Sequence, residues 1–227
     1  MRLRVVFEKG EEVKFISHLD TARTFARAMR RAGIPVSHSR GFNPHPKISF
    51  ALPLPVGVTS ENDVLDVELA SPMEVGEFIR RLNAALPPGL RVDAAREVSE
   101  DAPSLMSIVD AARYEVRAPI FGDVDPKAVV ARFVESTSII VHRQREGHPA
   151  QEVDIRPLIL SLDAERVDGD VVIDMVLRSG SRGSARADEV LRALDDLGGR
   201  WLDLTKARYR RKGVYEAAES GLGLIRQ

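Results

Sequence analysis

From Met1 to Glu8 apolar residues recur at every second position (Met1, Leu3, Val5, Phe7), the period of a strand, and Leu3 to Glu8 is expected to form one. Gly10-Glu11-Glu12 predicts a turn after it. Ser17 is placed to cap a helix running to about Ala32, with Asp20 at the acidic position of a capping box and Gly33 and Pro35 to stop it. At ~100° per residue, Leu19, Ala22, Phe25, Ala26 and Met29 form one apolar stripe. Arg23, Arg27 and Arg30 flank that stripe, with Arg31 further around. A short strand is expected at Val36 to Arg40. Ile48 to Leu52 and Val64 to Leu69 predict two strands of a hairpin, joined by the stiff turn Pro53-Leu54-Pro55-Val56-Gly57 and a polar tip at Ser60-Glu61-Asn62. Ser71, with Pro72 in the first turn, caps a second helix whose Val75, Phe78, Ile79 and Leu82 face inward. Pro87-Pro88-Gly89 ends it, and Leu90 to Arg96 completes a β-α-β-β-α-β order.

The order recurs. Tyr114 to Ile120 alternates as a strand, and Asp125-Pro126 opens a helix with Val129, Val130, Phe133 and Val134 inward. Ser138 to Gln144 and Ile155 to Ala164 predict strands either side of a polar turn at Gly147-His148-Pro149, and Val171 to Arg178 a third. Ala187 to Leu197 is a helix closed by Gly198-Gly199, and Trp201 to Tyr209 is expected as the last strand. The expected fold class is therefore α+β: two tandem ferredoxin-like βαββαβ domains packed into one compact chain. Residues 1–98 form the first domain, the acidic and weakly apolar stretch 99–112 the linker, and residues 113–227 the second domain. The halves share element order rather than visible sequence similarity.

Composition narrows the function. Of 227 residues 30% are charged and 44% hydrophobic, with no apolar run near the ~18 residues of a membrane span. The N-terminus lacks a signal-peptide core, so a cytoplasmic location and no membrane partner are expected. There is no cysteine, which excludes disulfides, thiolate metal sites, a cysteine nucleophile and a cysteine-held iron–sulfur cluster in this chain. The net charge is only −1, but it is unevenly spread. Residues 13–50 carry seven lysines and arginines against Asp20, and residues 200–212 carry six against Asp203. Local fields of this kind steer anionic partners more than net charge does.

The chemistry-bearing stretch is His38-Ser-Arg-Gly-Phe-Asn-Pro-His-Pro-Lys-Ile-Ser-Phe50. Pro44 and Pro46 remove backbone donors and fix φ, and Gly41 is free to adopt angles closed to other residues. A stiff, exposed polar loop results. Arg23, Arg27 and Arg30 on the helix and Arg40, Asn43, His45 and Lys47 in the loop are candidates for contacting an anionic substrate. Arg208, Tyr209 and Arg210 join them, because a base-stacking aromatic between arginines suits RNA. Trp201, at a strand start, is expected in the core. His18 and His45 are the candidate proton-transfer groups, since imidazole titrates near neutrality. Surrounding cations oppose a divalent ion, so no metal is expected, and no cofactor motif is present. Ser179 to Ser184 precedes a helix but does not match a nucleotide-binding glycine pattern, and a flexible turn is expected there.

Lys14-Phe-Ile-Ser-His-Leu-Asp20, Arg23, Ala28, Arg30-Arg-Ala-Gly33 and Ser39 to Phe50 resemble the N-terminal signature of the bacterial radical SAM-linked protein family. Val153-Asp-Ile-Arg-Pro-Leu158 resembles its second signature. The resemblance implies a chain fused to a radical SAM enzyme or encoded beside one. Without cysteine this chain holds no such cluster, so the enzyme would be encoded separately and this chain would be an accessory protein binding or presenting an anionic substrate, structured RNA foremost. A looser resemblance, at the level of fold, is to the duplicated ferredoxin-like ribonucleases of CRISPR systems. It implies the alternative of a metal-independent endoribonuclease using His18 or His45. A third reading is a module for protein–protein interaction alone.

Overall fold

The computed structural model describes the chain except residues 145–146, 148, 181, 219–220 and 226–227. It is an α+β protein with two compact units, Met1–Val109 together with Arg211–Gln227, and Asp110–Arg210. The expected limits placed residues 211–227 with the second half, whereas the last strand's larger part lies in the first unit.

The first unit starts with β1 (Arg2–Lys9), followed by α1 (His18–Arg31), β2 (Ile48–Phe50), β3 (Val58–Glu68), α2 (Val75–Ala85), β4 (Leu90–Val98) and the single turn α3 (Leu105–Ile108). Strand β1 lies between β4 and β3, and β2 pairs along β3, all antiparallel. The core is one cluster: Leu3, Val5 and Phe7 of β1, Phe25 and Met29 of α1, Leu65 and Val67 of β3, and Phe78 and Leu82 of α2. Within it the Phe7, Phe25 and Phe50 rings meet edge to face at 4.9–6.0 Å, the arrangement favoured by ring quadrupoles.

Helix α1 begins where local chemistry predicts. The Ser17 hydroxyl oxygen accepts the Asp20 N–H and its O–H donates to the Asp20 carboxylate, satisfying orphan donors of the first turn. Its buried face is Thr21, Phe25, Ala28 and Met29. Leu19, expected on that stripe, is instead 65% exposed, because it sits in the first turn, off the buried face. Helix α2 starts three residues later than Ser71 suggests, at a Glu74 cap whose carboxylate accepts the N–H groups of Gly76 and Glu77.

Two expectations fail for one reason. Ser60-Glu61-Asn62, expected as a polar tip, lies within β3, and in place of a strand from Trp201 to Tyr209 there is β10 (Arg208–Ala218), which from Arg211 onward lies beside β3 and pairs with the final strand β11 (Gly221–Leu224). The Asn62 side chain donates to the Lys212 carbonyl, and Glu61 pairs with Lys212 at 2.7 Å. Polar residues that read as a turn are thus satisfied by a strand about 150 residues away, and tertiary pairing overrides local preference.

The second unit holds β5 (Val109–Pro119, from Asp110), α4 (Pro126–Glu135), β6 (Ile140–Arg143), β7 (Gln151–Asp154), β8 (Ile159–Val167), β9 (Asp170–Arg178) and α5 (Ala187–Leu197). Strand β9 pairs antiparallel with β5 and β8. The expected strand at 138–144 forms only β6, which pairs with β7 as a separate hairpin, and the expected strand at 155–164 starts four residues later, after a 3-10 turn at Arg156–Leu158. His148 and Ser181, within the expected turns, lie outside the described residues. Val134, expected inward, is exposed, while Val129, Val130 and Phe133 are buried. Trp201 is core as expected, its indole N–H donating to the Leu194 carbonyl at 3.3 Å.

Gly198 ends α5 with a negative φ, so its requirement is space rather than conformation. A Cβ there would lie 2.3 Å from the Trp201 ring. Gly198→Ala is expected to destabilise the protein by about 1–3 kcal/mol through overpacking, read as a lowered Tm in a thermal melt.

Candidate functional site

Strand β1 ends on Lys9, the fourth residue of the inward series Leu3, Val5, Phe7, Lys9. Its ammonium is buried and donates to the carbonyls of Lys14 and Ile16 at 3.2 and 3.1 Å, holding the segment that leads into α1. On β3, Asp63 is the register partner of Phe7, and from β10 comes Arg211, with a side chain that is 0% exposed. The guanidinium donates to both Asp63 oxygens at 2.6 and 2.7 Å and to the carbonyls of Leu52 and Pro53. Three ionisable groups are thereby taken out of water in one place. Burial pushes the Asp63 carboxyl up, against the opposing pull of Arg211, and burial pushes the Lys9 ammonium down.

His18 opens α1 at the edge of this cluster. Its ring meets Phe50 edge to face at 5.0 Å. Burial holds its pKa below the ordinary histidine value; Asp63 pulls the other way, and Arg211 and Lys9 add to the lowering. The imidazole is therefore neutral at pH 7. Among the described residues no side chain hydrogen-bonds to it, and no group of three or more His, Asp or Glu is arranged to hold a metal ion.

The loop that stood out in the sequence is a narrow hairpin. Val36 bridges Leu69 and His38 bridges Pro46, so the short strand expected at 36–40 is reduced to isolated bridges. The Ser39 N–H donates to the His45 carbonyl and the Lys47 N–H to the Ser37 carbonyl, both at 2.8 Å, while the His45 N–H donates to the Ser39 hydroxyl at 2.9 Å. At the tip, Gly41 has φ +130°, a region closed to most side chains. Arg40, Asn43 and His45 are all exposed, as is Phe42, whose ring is fully in solvent. Lys47, at the base, is tied to Glu68 by a 2.5 Å ion pair.

The helix candidates divide. Arg23 pairs with Asp20 at 3.0 Å, and Arg31 donates to the Ala85 carbonyl at the end of α2. Arg27 and Arg30 are exposed, and no carboxylate pairs with them among the described residues. Ala32–Val36 ties the end of α1 to the hairpin base, with the Ile34 N–H donating to the Met29 carbonyl and the Ala70 N–H to the Pro35 carbonyl. Arg27, Arg30, Arg40, Asn43 and His45 therefore belong to one continuous segment. Arg208, Tyr209 and Arg210 lie in the second unit, where Tyr209 is half-buried and its phenol is pushed up to about 12 by burial.

Sequence reasoning missed Lys9, Asp63, Arg211 and Phe42. The first and third carried a signal: an inward position at spacing two along a strand, occupied by a cation. Three cavities, of about 500, 300 and 560 Å³, contain none of the candidate residues named above. Arg27, Arg30, Arg40, Asn43 and His45 are exposed on the surface of the helix and hairpin.

Together these features define an α+β chain with a buried charge cluster beside a helix and hairpin that expose basic side chains. A family model described as "Uncharacterized protein conserved in bacteria (DUF2344)" matches residues 2–187, and the chain belongs to that family. No curated protein matches it. In fold it is similar to a chain of the crystal structure of a Cbf5-Nop10-Gar1 complex, with a TM-score of 0.51 at 12% identity over 93% of this chain. It spans about half of that chain, 48%. The crystal structure of an unknown protein from Galdieria sulphuraria matches 93% of this chain and 96% of its own at 16% identity, with a TM-score of 0.26, too low to bear on the fold.

Two measurements test the cluster. Arg211→Ala leaves Asp63 buried without its cation and is expected to cost about 3–5 kcal/mol in urea unfolding, whereas the paired change Asp63→Asn with Arg211→Met costs less. Because the folded pKa of His18 is lowered, the unfolded chain takes up its proton first as pH falls below 6.5. Stability is therefore lost as pH drops from there to the lowered value, and His18→Gln is expected to flatten that part of a urea-midpoint profile.

Proposed function

We propose that this chain is a non-catalytic accessory protein that binds an anionic partner, structured RNA, through the surface formed by Ser17–Phe50, and presents it to a radical SAM enzyme encoded separately. The observation that carries the binding half is that Arg27, Arg30 and Arg40 are exposed without a carboxylate partner among the described residues, on a helix and hairpin joined by five residues. Unpaired, solvated guanidinium groups are free to displace phosphate counterions, and exposed cations spread over a helix and a hairpin suit a polyanion. The enzyme partner rests on the signature residues Lys14–Asp20, Ser39–Phe50 and Val153–Leu158.

The fold is compatible with this role. The strand order β4-β1-β3-β2 with α1 and α2 supports a ferredoxin-like reading of the first unit, and in the second the succession β5-α4-β8-β9-α5, once the separate β6–β7 hairpin is set aside as an insertion, supports a tandem copy. The endoribonuclease alternative needs a second proton-transfer group aligned with His18 or His45. Neither imidazole hydrogen-bonds to a side chain among the described residues, so binding is the better-supported reading. A module for protein contact alone draws on the exposed Phe15, Leu19 and Val56, and predicts co-purification of a protein without RNA.

Binding of a structured RNA, followed by fluorescence anisotropy, is expected to weaken steeply between about 50 and 200 mM salt. Replacing Arg27, Arg30 and Arg40 together by Ala should lower affinity at least about tenfold and reduce the slope of log K on log salt by about two. Binding indifferent to salt and to the substitutions contradicts the proposal.

A further inference from the structure

Between Ser37 and Lys47 the hairpin has one large apolar side chain, Phe42, and it is fully exposed. An aromatic ring of this size normally buries its surface on folding. Here the backbone prevents that: the Ser39–His45 and Ser37–Lys47 hydrogen bonds close the hairpin, Pro44 and Pro46 stiffen its return arm, and the tip carries Phe42 away from the core. The neighbours of the ring are unlike those of a protein-docking patch. Arg40 and Asn43 lie two and one residues from it and His45 three, so the aromatic face stands beside a guanidinium and hydrogen-bonding side chains, and Phe42 is the one large apolar side chain of the hairpin among the described residues. That combination fits a nucleotide: the base offers a π-face, the phosphate a charge for Arg40, and the base edges acceptors for Asn43.

We infer that Phe42 is a stacking platform for an unpaired nucleobase, so that the hairpin selects single-stranded segments of RNA — loops, bulges or ends — over continuous duplex. This rests on the RNA-binding reading above and gives it a substrate class. A base inside an A-form helix is already stacked on both faces and its major-groove edge lies in a groove too narrow for side chains, so the ring has no free face to stack on there. The Arg27 and Arg30 charges act on either form, because phosphate contacts carry no such distinction.

The test compares a short single-stranded oligoribonucleotide with the duplex it forms with its complement, each titrated with the 227-residue chain at several salt concentrations. Phe42→Ala should weaken single-strand binding by about tenfold, within the range for one lost base stack, with duplex binding and the salt slope unchanged. Phe42→Tyr should retain the affinity, and Phe42→Leu, which keeps apolar area without the π-face, should not. An unchanged melting temperature shows that each variant is folded, as expected for a ring that touches no core. Equal affinity of Phe42→Ala and the parent for the single strand, or an equal loss on both probes, overturns the stacking role while salt-dependent binding of both probes leaves the RNA-binding reading standing. No binding of either probe by the parent chain overturns both.

Discussion

The first unit depends on the Arg211–Asp63 ion pair with Lys9 beside it. Two buried cations and one carboxylate would be costly without partners, because the effective penalty is several kcal/mol per ion. The compensation comes from backbone: Lys14 and Ile16 carbonyls take the Lys9 ammonium, and Leu52 and Pro53 carbonyls take the guanidinium. Each carbonyl belongs to a loop that must be held for the surface to exist. The first loop aims α1, and the second leaves β2. Arg211 also brings the C-terminal strand to β3, which is why residues from 211 onward belong to the first unit although they are last in the chain.

The consequence for function is a firm base beside an exposed, charged surface. Phe50 links the two: it sits on Phe7 and Phe25 in the core and receives the His18 ring from above. His18 is thus held at the rim of a buried positive cluster, where its neutral form is favoured. It lends the region little charge at pH 7. Arg27, Arg30 and Arg40 are exposed without a carboxylate partner among the described residues, so buried, compensated cations are separated from exposed, uncompensated ones, and it is the latter that the proposed RNA-binding role uses.

What was legible in the sequence was local. Ser17 with Asp20, the Gly33 stop and Asp125-Pro126 set helix ends through contacts within a few residues, and α1, α4 and α5 fall where those signals put them. The start of β3 at Val58 and of β10 at Arg208 were not legible, because their polar residues are satisfied by each other across most of the chain. Asp63 was hidden for the same reason, and Arg211 carried only a faint signal. Arg211 lies inside a run of cations that reads as a basic surface, and only the period of two separates it and Tyr209 from the exposed Arg208 and Arg210. The hairpin at 37–47 was recognised as stiff and polar, yet which of its side chains stands furthest from the core is set by a ladder that no single residue announces.

Hydrogen exchange of the 227-residue chain with and without a structured RNA tests the central claim most directly. The account predicts added protection in α1 and the 37–47 hairpin, lost when salt is raised. Protection confined to the second unit, or no change anywhere under conditions where RNA is bound, would contradict it.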